Sequence, residues 1–385
     1  MPASILSIGT AVPPTRLPQE HVRDLFTAQP GVDRLTSRLI HAAFDAAAID
    51  TRHTVLAELG EGAARTSADR APGTLPVIGA DGVLHAPTTA ARNAEYVRLA
   101  PPLFAGAARA ALAGAALEPA AITHVVTVSC TGLFAPGPDY RLIRDLGLAP
   151  TAERFHLGFV GCAAAMPALR LADALCAAQP DAVVLVVCAE LCTLHFRPSP
   201  DPEQIVAASV FADGAAAAIV SARADLRDRA GARLDLERFG TTVTDDGERD
   251  MAWTIGDHGF EMTLTAEVPR IIGREIRAAV GAFLAGDTPA VWAVHPGGRS
   301  VLDRVEAGLD LPADALAASR AVLRTHGNMS SATILFILAE LLADETGAGG
   351  GSGTGGGSAS IAALAFGPGL TVESALLTRR PGPAS

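Results

Sequence analysis

The sequence predicts an α/β fold whose sheet is parallel or mixed and covered by helices on both faces. Three observations predict it. Short uninterrupted apolar runs alternate with helical stretches of 10–20 residues, the pattern of strands buried on both faces. Hydrophobic residues make up 49% of the chain and charged residues 18%, which supplies a large core and excludes disorder. Aromatics are only 4%, and alanine fills much of the interior, which favours closely packed layers.

In chain order, Ser4 to Ile8 reads as a short strand followed by the loop AVPPTRLP. Residues 58–87 are rich in Gly, Pro, Asp and Ala without sustained periodicity and read as an irregular surface excursion. Thr89 to about Gly114 is helical, interrupted only by Pro101 and Pro102. HVVTVSC (124–130) is a buried strand, and a helix opens at Pro138. Residues 155–160 form a short strand, Cys162 begins a helix running to about Ala178, and 182–188 and 215–220 are buried strands.

The second half repeats the theme. Residues 232–243 read as a strand, 266–284 as a helix, 290–295 as a strand, 300–308 and 330–343 as helices, and 360–366 and 370–377 as strands. Two halves are expected, 1–228 and 229–385. Eight glycines fall between Gly347 and Gly357, and Gly351, Gly353 and Gly356 formally match GxGxxG. They precede a strand instead of opening a helix after one, so the dinucleotide reading fails and a connecting loop is expected.

Composition removes several classes of function. Thirty Lys+Arg against 41 Asp+Glu give a net charge of −11, which disfavours nucleic-acid and anionic-membrane binding while leaving room for a local anion site. The best membrane-span candidate, Leu157 to Leu169, stops at Arg170 after thirteen residues, and no secretory signal is visible. Five cysteines at uneven spacing suggest neither a disulfide framework nor a zinc site, so reduced thiols and a cytoplasmic location are expected.

Three polar residues stand in unusual local settings. Cys162, in GFVGCAAAMPALRLADAL, follows a strand and a turn-permitting Gly161 and sits where a helix begins, over unpaired N–H groups that favour a thiolate. His295, in AVWAVHPGGRS, projects from a strand end before Pro-Gly-Gly. Asn328, in THGNMSSATILFIL, occupies a turn before an apolar helix. Taken singly, each suits a structural role: a small buried hydrophobe, a core histidine, a turn residue. Together they can converge at one end of the sheet. A thiolate there attacks a thioester and holds an acyl group, while imidazole and amide N–H groups stabilise an enolate oxygen. Decarboxylative Claisen condensation requires that set.

At these residues the sequence resembles the type III polyketide synthases, the chalcone-synthase-like branch of the thiolase fold. The matching stretches include SCTGLFAPGPDY (129–140), GFVGCAAAMPALRLA (158–172), VVLVVCAELCTLHF (183–196), SVFADGAAAAIV (209–220), WAVHPGG (292–298), GNMSSATILFIL (327–338) and FGPGLTVE (366–373). The resemblance implies a duplicated αβαβα layered core with mixed five-stranded sheets. It also implies Cys162 as nucleophile and acyl carrier, with His295 and Asn328 promoting decarboxylation. Phe211 matches a phenylalanine at the cavity mouth. Met262 stands where a second one is usual, either as an adaptable wall or as ordinary core. Trp253 occupies a region that plant members keep small. Cys130, Cys192, Leu194 and Ser330 are further expected liners.

Arg52 matches an arginine that binds coenzyme A phosphate, although the neighbouring lysine of plant members is Asp50 here. Pro368 and its flanking glycines look like a scaffold behind the site. Coenzyme A thioesters are the implied substrates, with no permanently bound cofactor, and a homodimer is implied in which Ala135-Pro136-Gly137 reaches toward the partner. The motifs look most like bacterial alkylpyrone and alkylresorcinol synthases, which take fatty acyl starters, while Trp253 points toward a shorter chain. The alternatives are a malonyl-primed tetrahydroxynaphthalene synthase, a ketoacyl-carrier-protein synthase III and a non-catalytic thiolase-fold partner. Intact GNMSSA and FGPGLTVE argue against the second, and the complete triad against the third.

Overall fold

The computed structural model describes residues 2–62, 76–344 and 358–382. The first half runs β1 (Ser4–Ala11), β2 (Thr15–Pro18), α1 (Gln19–Thr27), α2 (Arg34–Ala46), β3 (Thr51–Thr54), α3 (Thr89–Gly114), β4 (His124–Ser129), α4 (Pro138–Leu146), β5 (Glu153–Gly158), α5 (Ala165–Ala178), β6 (Val183–Leu191), α6 (Pro202–Val210), β7 (Asp213–Ser221) and α7 (Ala224–Arg229). The second runs β8 (Arg233–Val243), β9 (Met251–Gly256), β10 (Gly259–Leu264), α8 (Val268–Leu284), β11 (Val291–Val294), α9 (Arg299–Leu309), α10 (Ala317–His326), α11 (Thr333–Ala343), β12 (Ala359–Gly367) and β13 (Thr371–Arg380).

Nine strands form one continuous mixed sheet in the order β11-β12-β13-β8-β1-β7-β6-β4-β5. Its two flanks follow the same plan. In the first half β4 runs parallel to β6, β6 antiparallel to β7 and β7 antiparallel to β1. In the second, β11 runs parallel to β12, β12 antiparallel to β13 and β13 antiparallel to β8. The first flank has the expected five strands. The second has four, since nothing among the described residues pairs outside β11 as β5 does outside β4.

The helices complete five layers. Helix α3 covers the outer face of β1, β6 and β7, and α8 packs on β13 with α9 beside it. Between the flanks lie α5 and α11, each touching strands of both. Buried Met166 and Leu169 of α5 share one apolar cluster with Leu335 and Leu338 of α11. The central strands β6 and β7 are buried along their whole length, which is why they read as unbroken apolar runs. Residues 161–178 are long and apolar enough to cross a membrane by length and composition, yet Ala165, Met166, Leu169 and Ala172 are buried in this middle layer.

Local signals set several ends. Pro138 opens α4 and Gly147, at φ 69°, closes it in the left-handed region. Asp33 caps α2 by accepting from the Thr36 N–H at 2.8 Å. The glycine-rich 347–357 segment lies outside the described residues, as does part of the 58–87 excursion.

Candidate active site

The site is built where the two middle-layer helices begin. Strand β5 stops at Gly158, two residues earlier than the sequence suggests, because Phe159 turns into the left-handed region at φ 58°. Gly161 follows at φ 79°, and a Cβ there would lie 2.2 Å from Cδ of Pro368. Glycine is therefore needed twice over, for the turn and for the close approach of the GPG loop. Cys162 lies in the short 3-10 turn 161–163 ahead of α5 and is 5% exposed.

His295 follows β11, its N–H donating to the Leu364 carbonyl of β12 at 2.8 Å. Its ring is fully buried, and neither ring nitrogen has a hydrogen-bond partner among the described residues. Asn328 is held on both sides of its backbone: its N–H donates to the Val210 carbonyl and its carbonyl accepts from the Ala212 N–H, each at 2.9 Å. Its Oδ1 accepts from the Ser330 N–H at 2.8 Å, which leaves Nδ2 to donate toward the Cys162 thiol.

These three residues line a single small chamber with Phe211, Met251, Met262, Leu264 and Phe366. Cys162 also faces a second chamber walled by Cys130, Cys192, Trp253, Met262 and Ser330. A third, walled by Cys192, His195, Trp253, Phe260 and Met262, adjoins it. Free volume is slight, about 10, 20 and 30 Å³ in turn. Phe211, Met251 and Met262 stand between the first two chambers, and Cys192, Trp253 and Met262 between the second and the third. Met262 and Trp253 are cross-strand partners on the β9–β10 hairpin, and the Trp253 indole N–H donates to the Cys130 carbonyl at 2.7 Å. Trp253 therefore fills space at the cavity's wall.

Burial sets the electrostatics. It pushes the Cys162 thiol up to about 11, against opposing hydrogen bonds from Ser330 and Asn328. The helix-end thiolate expected from the sequence is overridden by loss of solvent. Burial also pulls His295 down to about 3. Each group alone is neutral at pH 7.

Two expected residues are corrected. Arg52 is fully buried and cannot meet a phosphate from solvent. Its guanidinium donates to the carbonyls of Ala208 at 2.7 Å and Phe211 at 2.6 Å, with Phe44 and Phe196 rings 5.6 and 5.8 Å away. A Cβ at Gly327, which sits at φ 71°, would come 2.9 Å from its Cγ. Leu194 also faces away from the cavity, into the apolar cluster of the first half, and its carbonyl accepts from Arg92.

Sequence reasoning missed Met251, which walls two of the chambers, and Glu190. The Glu190 carboxylate is fully buried and accepts from the Ser331 hydroxyl at 2.5 Å and from the Cys130 N–H and Thr131 hydroxyl at 2.9 Å. Its signal was a lone acid within an apolar strand run. Burial raises it to about 7. All five cysteines are free and buried. Among the described residues no cluster of His, Cys, Asp and Glu could hold a metal ion.

The family model for the N-terminal domain of chalcone and stilbene synthases matches residues 1–224, and the model for their C-terminal domain matches 237–381. Bisdemethoxycurcumin synthase of Oryza sativa subsp. japonica is 33% identical over 389 aligned positions, covering 97% of this chain and 92% of the rice protein. Among solved structures, PKS-I of the brown alga Ectocarpus siliculosus superposes with a TM-score of 0.86 at 28% identity, covering 99% of this chain and 98% of that one. The C-terminal type III polyketide synthase domain of Steely1 from Dictyostelium gives 0.80 at 27% identity, covering 98% and 99%.

Proposed function

Because the chain belongs to the chalcone and stilbene synthase family, and is thus an acyltransferase of the type III polyketide synthase class, we propose that it extends an aliphatic acyl starter with malonyl units. The observation that carries this is the shared chamber of Cys162, His295 and Asn328. The thiol gives its proton to His295 as its sulfur attacks the acyl-CoA carbonyl, and coenzyme A leaves as thiol. Malonyl-CoA then places its thioester oxygen toward the His295 and Asn328 N–H groups. Loss of carbon dioxide puts the electron pair on that oxygen as an enolate, which the two donors stabilise. The enolate carbon attacks the acyl-cysteine and frees Cys162, and repetition followed by ring closure gives a pyrone or resorcinol. The family's reaction runs on coenzyme A thioesters without a resident cofactor.

Thioether and aliphatic walls from Met251, Met262 and Leu264, with the small Cys192 thiol beside them, support an alkyl starter, since methionine repacks readily around a chain. A fatty acyl group is the favoured starter. The slight free volume beside Trp253 supports a second reading, priming by a short or malonyl starter. We further take the protein to be a cytoplasmic homodimer. Leu133 and Tyr140, at either side of Ala135-Pro136-Gly137, and Val97 of α3 are large apolar side chains left exposed.

The test is incubation with labelled malonyl-CoA and starters from acetyl- to stearoyl-CoA, with products identified by mass. Long-chain products absent in Cys162→Ala support the fatty reading. Product from malonyl-CoA alone moves the assignment to a naphthalene-forming synthase. Turnover persisting in Cys162→Ala overturns the mechanism.

A further inference from the structure

We propose that Thr89 and Arg92, on the first turn of α3, are positioning residues that hold the two walls of the third chamber at a fixed spacing and thereby select the starter by length. The inference deepens the reading of the chain as a synthase that loads an acyl starter, and it rests on that reading. It starts from the β9–β10 hairpin, which supplies Met251, Trp253, Met262 and Leu264 to the chambers. Among the described residues this hairpin pairs with no strand of the main sheet. Its place is therefore set by side-chain contacts instead of a sheet ladder.

Thr89 grips the tip of the hairpin. Its hydroxyl donates to the Gly256 carbonyl and accepts from the Gly259 N–H at 2.8 Å, and its own N–H donates to the Asp257 carbonyl at 2.8 Å. One residue thus brackets the two-residue turn that joins the strands. Gly259 lies at φ 121°, and a Cβ there would stand 3.0 Å from Nε of Arg92, so the tip also presses on that arginine. Arg92 is one turn further along the same face of α3 and is buried. Its guanidinium turns to the opposite wall, donating to the carbonyls of Leu194, Phe196 at 3.0 Å and Pro87 at 3.1 Å. The first two belong to the short turn Cys192–His195 and the residue after it.

The third chamber lies between these two grips. Cys192, His195 and Phe196 stand on one side of it, and Trp253, Phe260 and Met262 on the other. His195 spans the gap. Its Nδ1 accepts from the Phe260 N–H at 3.0 Å, which leaves Nε2 to donate to the Thr131 carbonyl at 2.9 Å. Neither Thr89 nor Arg92 lines any of the three chambers, so both act only through the walls they hold. With about 30 Å³ free, the third chamber admits an alkyl end only as far as those walls part, and the clamp limits that distance.

The experiment compares kcat/KM for dodecanoyl-CoA and acetyl-CoA in Thr89→Ala, which loses both hydroxyl contacts, and in Thr89→Ser, which keeps them. The dodecanoyl-to-acetyl ratio is expected to rise about fivefold in Thr89→Ala, the scale of one or two lost hydrogen bonds, and to return to the wild-type value in Thr89→Ser. Arg92→Lys, which keeps the charge and loses the spread over three carbonyls, is expected to shift the ratio in the same direction. Acrylamide quenching of Trp253 fluorescence, in a Trp292→Phe background that removes the other tryptophan, gives a readout free of turnover. Quenching should rise about twofold in Thr89→Ala, as the hairpin opens locally, and stay at the background value in Thr89→Ser. An equal fall in kcat/KM for both starters, or a ratio that Thr89→Ser does not restore, overturns the proposal while leaving the condensation chemistry standing. If the wild type turns over neither thioester, the polyketide reading fails instead, and the clamp then stands or falls on the quenching of Trp253.

Discussion

The Arg52 guanidinium donates to the Phe211 carbonyl at 2.6 Å, directly beneath the backbone that carries Asn328. Phe211 and Asn328 are bridge partners, and Arg52 also holds the Ala208 carbonyl one turn back on α6. Burial pulls its pKa down to about 9, which leaves it protonated at neutral pH. Arg52 is thus a positioning residue for the Phe211 wall and, through the bridge, for the backbone of Asn328.

Replacing it tests that role against the phosphate role suggested by sequence. Arg52→Lys keeps a charge, but both carbonyls are held by Nη1 alone, and the shorter lysine side chain ends about one bond short of that atom. The expected result is a fall in kcat of about tenfold, equal to roughly 1.4 kcal/mol, with KM for the coenzyme A substrate within about twofold. A rise in KM at constant kcat contradicts the positioning role.

Burial disfavours Cys162 and His295 each as a lone ion, so in the chamber they share a thiolate is favoured only where the imidazole takes up the proton and the two charges form together. In His295→Gln the thiol has no such acceptor. Iodoacetamide alkylation of Cys162 at pH 7 is expected to slow at least about tenfold, and its rate to keep climbing toward pH 11. Equal alkylation rates in the two proteins contradict proton transfer to His295.

Glu190 has a folded-state pKa near 7, raised from the ordinary 4.5 by burial. The native state therefore holds a proton that the unfolded chain releases between those values. Its contribution favours folding at low pH and is lost as pH rises through 7, by roughly 3 kcal/mol in all. Asp213, raised to about 6, adds a slope of the same sign. Glu190→Gln removes only the first, so the difference in melting temperature between variant and wild type should shift steadily from pH 5 to 8. A constant difference contradicts the assignment.

Trp253 closes the wall between two of the chambers. Trp253→Ala merges them and frees the Cys130 carbonyl from its indole partner. Relative kcat/KM for dodecanoyl-CoA over acetyl-CoA should rise about tenfold, as pocket discrimination of a few kcal/mol at most allows. An unchanged starter profile shows that length is set elsewhere.

At the junction of the flanks, the Asp235 carboxylate accepts from Ser4 at 2.6 Å, Arg380 at 2.9 Å and Arg227 at 3.2 Å. Burial alone would raise its pKa, yet Ser4 and the arginines outweigh that and lower it. Its stabilisation is thus present above the ordinary carboxylate range and is lost as pH falls through the depressed value. Asp235→Ala is expected to cost about 1 to 2 kcal/mol, read as denaturation midpoint, since it removes the one buried carboxylate that Ser4, Arg227 and Arg380 share.

The main-sheet strands were legible because most are apolar runs with clear ends, whereas α1, α2, α6, α10 and the β2–β3 pair were not read, and TRLP, read as loop, is β2. The β9–β10 hairpin was not legible: MAWTIG and GFEMTL pair only with each other, half exposed, so neither carries a core signature. Arg52 was misjudged for the opposite reason. Nothing in IDTRHT announces a guanidinium turned inward, because its partners are backbone carbonyls 156 and 159 positions away. Leu194 failed similarly, as neighbours in a cavity motif can face opposite sides of one turn.

Cys162 stands on the first half of the chain, while His295 and Asn328, which line the same chamber, come from the second. During synthesis the ribosome therefore releases the cysteine well before the imidazole and the amide exist. Until the second half has docked, the sulfur lacks the covering that raises it to about 11 and stays an ordinary, more acidic thiol. The chamber is complete only once Phe366 of β12 is in place, so the half-made chain carries a more readily alkylated cysteine than the finished fold.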